Sequence, residues 1–452
     1  MSLPTFQMFF RYMVETGFNG QTPLALTTVE DWNKGSGGGV NGWRDVDASV
    51  ADFAWMKGVS AIIFPEAANG QRGLNVYGPE PGRNNVDGAW NSNFAPEMVS
   101  NYFYGAQGDK TITPTAGTAA QATPATFPSA ANTLTAQPTG DEQIVFTIAS
   151  STDATSASIV INVAGVAVET IPITDSLSSV DGVYYSKGGW GSGGTVTFDL
   201  VGTVTAGGVT VTGIGYNTTV IASADTVPTF AFEQHGGSDG GAEANSWFYT
   251  GGIFASVVTT FDIVGGGLVV VAPTVLSRFN TDDTVAADYG RQIKTVSGFA
   301  DEGKLYHRFA GWQAALSIDS VDLGCPLQSA TLTVNSGNIL TAGGSGSQEP
   351  CAVEVGPLEV LLEIGLKPDD GDEFDAWLNQ TDANLVLTLT SPHFVNGSTP
   401  YSASFRLPTA WRETFDEGTA DESALATYNW RGVYDDAVGD TLITTIVDRM
   451  PL

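Results

Sequence analysis

Gly236-Gly237-Ser238-Asp239-Gly240 has the G-x-S-x-G spacing of a nucleophile elbow, and His235 stands directly before it. In an elbow the serine sits on a sharp turn between a strand and a helix, where its hydroxyl can meet a base. Here the text runs on through GAEANSWFYTGG into another alternating segment, so a strand follows. The motif reads as a hydrophilic hairpin loop. Gly189-Trp190-Gly191-Ser192-Gly193-Gly194 matches G-x-G-x-x-G. Dinucleotide binding would require a helix next, with its N-terminus on the pyrophosphate. TVTFDLVG follows instead, a strand, and among 54 glycines such a match is close to chance.

Metal chemistry finds little support. His235, His307 and His393 stand far apart and lack H-x-x-x-H or H-E-x-x-H spacing. Cys325 and Cys351 flank a Gly/Ser loop and could join, but two cysteines in 452 residues are no disulfide scaffold. Asp369, Asp370, Asp372, Glu373 and Asp375 form the densest carboxylate run. A calcium loop spaces its ligands at positions 1, 3, 5 and 12, and this run does not. It reads as an acidic helix start, with adventitious cation binding as the lesser reading. A carboxylate pair for glycoside hydrolysis could hide among the 49 acids, and Trp and Tyr could stack on sugars. In a β-rich chain, aromatics are more often core or interface residues. The expectation is therefore no catalytic residue, no cofactor and no metal.

DWNKGSGGGVNGWRD stands apart: Trp32 and Trp43 bracket a glycine-rich stretch that closes on Arg44 and Asp45. One reading is a flexible surface loop. The other is a loop that orders on docking against a neighbouring subunit, with the tryptophans as anchors.

The elements that would position these residues are mostly strands. DEQIVFTIAS sets Ile144, Phe146 and Ile148 on one face, and ASIVINVAG, TFAFEQ, TLTVNSG, EVLLEIGL and NLVLTLTS alternate likewise. SVVTTFDIV, Gly265-Gly266-Gly267 and LVVVAPTVL read as a long hairpin with a glycine turn, with Thr260 and Asp262 on its first strand. Two short helices are expected. The first is FAPEMVSNYFYG, with Pro96 in its first turn and Gly105 as its stop; the second is DDGDEFDAWLNQ, with Phe374, Trp377 and Leu378 on one face.

These elements repeat in order, as strand, helix, strand and long hairpin. The expected division is a first module of residues 1–105 with 226–280, and a second of 281–452. Between them, residues 106–225 begin as a Thr/Ala/Pro-rich tether and continue as a small inserted β-sandwich, Ig-like in outline. The fold class expected is mainly β: two sandwich modules, each with a short helix, plus the insert.

Charge narrows the function. Against 49 Asp+Glu stand 18 Lys+Arg, a formal net charge of −31, while charged residues are only 15% of the chain. Phosphate binding needs clustered bases, and so does adhesion to anionic lipid. The hydrophobic content of 42% argues against disorder. The same composition would suit a saline habitat. MSLPTFQMFFRYMVETGFNG is broken by Arg11 and Glu15, so no signal peptide is expected. No run approaches the roughly 18 apolar residues of a membrane helix.

Several segments together resemble the major tail tube protein of long-tailed, non-contractile viruses. They are FAPEMVSNYFYGAQG, then TFAFEQHGG with SWFYTGGIFASVVTTFDIVGGGLVVVAPTVLSR. LQSATLTVNSGNIL, VEVGPLEVLLEIGL, DEFDAWLNQ, NLVLTLTS and LATYNWRGVYDDAVGDTLITTIVDR complete the set. They are patterns of strands and turns covering most of the chain, with the insert outside them. The resemblance implies sandwiches repeated around a ring, with inner strands joined into one barrel and rings stacked into a hollow tube. Closure removes the exposed edges of the sheet. Two modules per chain imply a ring of three chains; a single module would imply six. The implied partners are further copies of the chain, the tape-measure, terminator and distal tail proteins, and viral DNA that slides through an acidic lumen without specific binding. No membrane partner is implied. The implied location is the virion tail, assembled in the host cytoplasm. Trp32, Trp43, Arg44 and Asp45 become candidates for inter-ring docking; Thr260, Asp262, Gly265, Gly266 and Gly267 become the candidate inner hairpin. The alternatives are a secreted or surface β-rich adhesin or carbohydrate-binding protein, or another tail or decoration protein.

Overall fold

In the computed structural model the chain is mainly β, built from antiparallel sheets with one α-helix among the described residues. The structure describes residues 9–14, 34–35, 44–45, 54–62, 80–120, 125–126, 128–138, 142–149, 152–172, 182–186, 194–205, 208–235, 246–280, 307–323, 327–341, 352–367, 378–379, 381–396, 399–420 and 423–448.

The first half supplies β1 (Phe9–Val14), β2 (Ala54–Ile62), β3 (Glu80–Ala89) and helix α1 (Pro96–Gln107). The chain then leaves through β4 (Gly108–Ala120) into β5 (Gln143–Ala149), β6 (Thr152–Val163), β7 (Val166–Pro172) and β8 (Val196–Thr205). It returns along β9 (Gly208–Ser223). β10 (Phe230–His235), β11 (Ser246–Asp262) and β12 (Val270–Asn280) complete the first half. The second half supplies β13 (Ala314–Ile318), β14 (Leu327–Asn335), β15 (Glu359–Leu366), β16 (Ala383–Asn396), β17 (Thr399–Ala420), β18 (Ser423–Val433) and β19 (Ile443–Asp448).

The pairings of the two halves correspond. In the first, β1 pairs β10, β2 pairs β3, β3 pairs β12, β10 pairs β11, and β11 pairs β12. In the second, β13 pairs β16, β14 pairs β15, β15 pairs β18, β16 pairs β17, and β17 pairs β18. Even the short strand after β1, Arg44–Asp45, has its counterpart in Val321–Asp322 on β13. A ladder joins the halves, in which β11 residues 256–262 run antiparallel to β14 residues 329–335.

Helix α1 lies in the core beneath this sheet. Pro96 occupies its first turn, where no intrahelical N–H is required. The helix runs past Gly105 and ends at Gln107, because Gly108 takes the left-handed conformation (φ +107°) and its N–H returns to the Tyr104 carbonyl. Gly105 does different work: a Cβ there would fall 2.2 Å from the Phe254 ring. It lets α1 approach β11 closely. Tyr102 packs on Phe254 at 5.4 Å and Phe103 on Phe405 at 5.1 Å between ring centroids, so the helix touches both halves. Of the second expected helix, only Leu378 and Asn379 lie among the described residues, and Leu378 is exposed.

The segment that composition marked as a tether begins as a strand. β4 pairs β9 from Gly108↔Ser223 to Ala120↔Thr212. Thr is a good strand former, and that outweighs the linker-like composition. The insert has its own core, in which Ile144, Phe146 and Ile148 of β5 meet Ile159, Ile161, Phe198 and Leu200 of β6 and β8. β9 also pairs β19, which in turn pairs β17. Pro273 in β12 sits opposite the break between β3, ending at Ala89, and the short strand Ser92–Asn93. A missing N–H is harmless there.

Candidate functional site

The ladder from β11 to β17 presents two faces, and period-2 alternation separates them. Inward lie Val257 and Phe261 of β11, Ala330, Leu332 and Val334 of β14, Val360, Leu362 and Ile364 of β15, and Tyr428 and Trp430 of β18, all buried. Outward, the registers assemble rungs that cross from one half into the other. Thr260 pairs Thr331, which pairs Glu363, then Asn429, then Thr414. The next rung is Asp262, Ser329, Gly365, Thr427 and Asp416.

This outer face is polar and acidic. Its rungs and their neighbours carry Asp262, Glu359, Glu363, Glu413 and Asp416, against Arg431. Arg431 is itself engaged: its guanidinium lies 3.0 Å from Glu413 and also bonds Glu359. Asn335 Nδ2 donates to Glu359 at 3.2 Å. That donation, with the Arg431 contact second, holds the Glu359 carboxyl below its ordinary range. With its guanidinium occupied by carboxylates, the face offers phosphate no clustered cation among the described residues, while its carboxylates repel it. Thr, Ser and Asn leave it wet and uncharged between the acids.

The structure brings Thr260 and Asp262 onto these rungs, both exposed. Asp262 also shapes the hairpin tip, because its carboxylate accepts the Gly265 N–H at 2.9 Å. A Cβ at Gly265 would lie 2.2 Å from that carboxylate, and Gly266 has φ +66°. The tip is seated on the second half: Gly311 N–H donates to the Gly267 carbonyl at 2.7 Å, and a Cβ at Gly311 would lie 1.9 Å from the Asp262 carbonyl oxygen. Arg44 and Asp45 are elsewhere, paired with Tyr12 and Arg11 on β1. Lys34 and Gly35 of the same glycine-rich stretch pair the insert strand Gly182–Tyr185. Trp32 and Trp43 lie outside the described residues.

Residue-type reasoning missed Glu359, Glu363, Glu413 and Arg431. The signal was present in EVLLEIGL, where Glu359, Leu361 and Glu363 alternate with Val360, Leu362 and Ile364. Which alternate set joins a functional face depends on the strands beside it.

The G-x-S-x-G segment connects β10 to β11, and His235 pairs Ser246 across that hairpin. A strand follows, as a hairpin loop requires. His307 and His393 are not far apart as the sequence suggested: their ring centroids are 5.4 Å from each other, and His307 stacks on Tyr401 at 4.5 Å. Strand β16 carries His393 back to the start of the second half. Among the described residues no three His, Cys, Asp or Glu side chains gather as a metal site, and Cys325 and Cys351 lie outside them. A cavity of about 570 Å³ at the C-terminal end of α1 is lined by Gln107, Asp225, Ser336, Asn338 and Tyr434 among others. Among the described residues no His or Cys borders it.

No protein-family model matches the chain, and no curated protein matches it either.

Proposed function

We propose that this chain is a structural, self-assembling protein: the tail tube subunit of a long-tailed, non-contractile virus, which forms stacked rings around a passive, acidic conduit for viral DNA. The observation that carries this reading is the continuous antiparallel sheet that crosses two similarly paired halves and bears a polar, acidic face. A duct for DNA must not bind its cargo. Carboxylates repel phosphate, and a lining without clustered Lys or Arg provides no counterion-release binding. The work is electrostatic and mechanical, with no catalytic residue and no cofactor.

Two similarly paired halves per chain favour three chains in a ring over six. The partners are then further copies of this chain, the tape-measure, terminator and distal tail proteins, and DNA in transit. The place of action is the virion tail, after assembly in the host cytoplasm. Negative-stain microscopy of the purified protein tests this directly. Stacked rings or tubes with an open channel, three chains per ring, are expected. A persistent monomer that binds or cleaves glycans would overturn the proposal.

A further inference from the structure

We propose that the cavity at the C-terminal end of α1 binds an aliphatic amine, a ligand with an ammonium head and an apolar body. The site is formed within one chain, so it stands or falls apart from the assembly reading.

Its walls come from segments far apart in sequence. Gln107 ends α1, Asp225 and Val227 follow β9, Asn338 follows β14, residues 355–358 lead into β15, and Tyr434 follows β18. Two of these segments are in backbone contact. A Cβ at Gly356 would lie 2.1 Å from the Gly337 carbonyl oxygen, and a Cβ at Gly337 would lie 2.7 Å from the Pro357 carbonyl oxygen. That side of the cavity is therefore fixed by packing. At about 570 Å³ the cavity falls within the roughly 300–1,000 Å³ of small-molecule sites. A bare metal ion would leave most of it unfilled.

The surroundings select a cation. α1 presents its C-terminus, the negative end of the helix dipole, and has no basic residue in its last turn. Asp225 borders the cavity, and among the described residues no Lys, Arg or His does. Asp440 stands behind Ser223 and Thr441, which both border it. The Asp440 carboxylate accepts the Ser223 N–H at 3.0 Å, the Thr441 N–H at 2.8 Å and the Ser223 hydroxyl.

Two buried amides supply acceptors. Gln107 and Asn338 are 2% exposed each. Gln107 Nε2 donates to Thr444 Oγ1 at 3.0 Å, and Gln107 Oε1 has no hydrogen-bond partner among the described residues. Asn338 Nδ2 donates to the Phe254 carbonyl at 3.5 Å, and Asn338 Oδ1 likewise has no partner. Buried carbonyl oxygens are nearly always hydrogen-bonded. These two belong to residues that wall the cavity, and an ammonium, with three N–H donors, suits them. The serine hydroxyls are already engaged, Ser223 on Asp440 and Ser336 on the Phe254 carbonyl at 2.7 Å. An anion therefore finds neither a cation nor a serine donor. Val227, Val355 and Leu358 give the aliphatic body an apolar wall. Tyr434, 59% exposed, adds a ring whose face attracts cations.

Ligand-observed NMR titration of the full-length chain tests this with three probes of one shape: hexylamine, hexanol and hexanoate. The amine should bind saturably, one per chain and at least about tenfold tighter than the alcohol, because hydrogen bonds to a charged group are the stronger ones. Hexanoate should not bind. Val227→Trp fills the cavity without altering either acceptor and should abolish saturable binding while the circular dichroism spectrum stays unchanged. Asp225→Asn, at an exposed position, should weaken the amine about two- to fivefold. One charge in a net −31 barely changes the general attraction of an acidic surface for cations. Should Val227→Trp fail to fold, the Asp225→Asn comparison decides alone. Amine binding that survives Val227→Trp, or that ignores Asp225→Asn, is surface condensation and overturns the site. Equal affinity for amine and alcohol overturns the choice of a cation, and no saturable binding of any probe overturns the proposal.

Discussion

The hairpins β11–β12 and β17–β18 share their pairing pattern and differ in what covers them. The first has β14 along its outer edge and its tip seated on Gly311. The second extends past Ala410 with β18 as its ladder partner among the described residues. Their compositions follow the difference. The covered stretch, SVVTTFD, is apolar or hydroxylated until its last residue; the extended stretch, WRETFDEGTA, alternates charge with bulk. A strand that meets its partner during folding needs no protection. The extended stretch carries Glu413, Asp416 and Glu417 instead, and charges on a strand discourage unwanted edge-to-edge pairing.

The comparison can be broken most sharply at the hairpin cores. Phe261→Ala removes a fully buried ring that meets Phe405 across the two halves, and should cost about 3–5 kcal/mol. Phe415→Ala removes a half-buried ring packed on Tyr428 at 5.0 Å, and should cost under about 2 kcal/mol because less area leaves water. Urea denaturation of the unassembled protein measures both, and equal losses would mean that the hairpins are equally integrated. Next, Gly311→Ala forces a methyl group into the Asp262 backbone, and about 2–3 kcal/mol is expected from such overpacking. Gly266→Ala meets open space but keeps a positive φ, so its cost should be about 1–2 kcal/mol. If the two glycine variants were equally stable, the tip would not be seated on the second half.

The smallest effect concerns pH. Glu359 is held below its ordinary value by Asn335 and then Arg431. A depressed carboxyl stabilises the fold above its unfolded pKa and loses that contribution as pH falls through the folded pKa. Stability should therefore decline slightly as pH falls below the ordinary carboxylate range, and Glu359→Gln should flatten that part of the profile. The pair is well exposed, so the change should be small. A steep loss would show that the outer face of the sheet is more enclosed than its exposure indicates.

Much of the fold was legible locally. Period-2 alternation marked β5, β14, β15 and β16, the glycine run marked the turn after β11, and Pro96 marked the start of α1. The stop of that helix was misread at Gly105, because a glycine that ends a helix and one that admits a neighbouring ring look alike in sequence. The tether was misread because Thr/Ala/Pro composition describes a free chain, whereas β4 is held along its length by β9, about a hundred residues later in the chain. Thr260 and Asp262 stood on the hairpin that local alternation and the glycine turn marked, but which of its faces they join was left open. Glu359, Glu363 and Glu413 joined the candidate face through ladders that no local pattern announces.

The amino-acid sequence alone determined the class of the protein: mainly β, heavily acidic and poor in bases, because alternation and charge are properties of residues. It also suggested a repeated order of elements. Only the tertiary structure decided which strands lie side by side, that β14 sits on β11, and that the acids of three strands share one face. Pairing register and edge occupancy arise between segments far apart in the chain, where a shift of one residue exchanges the buried face for the exposed one.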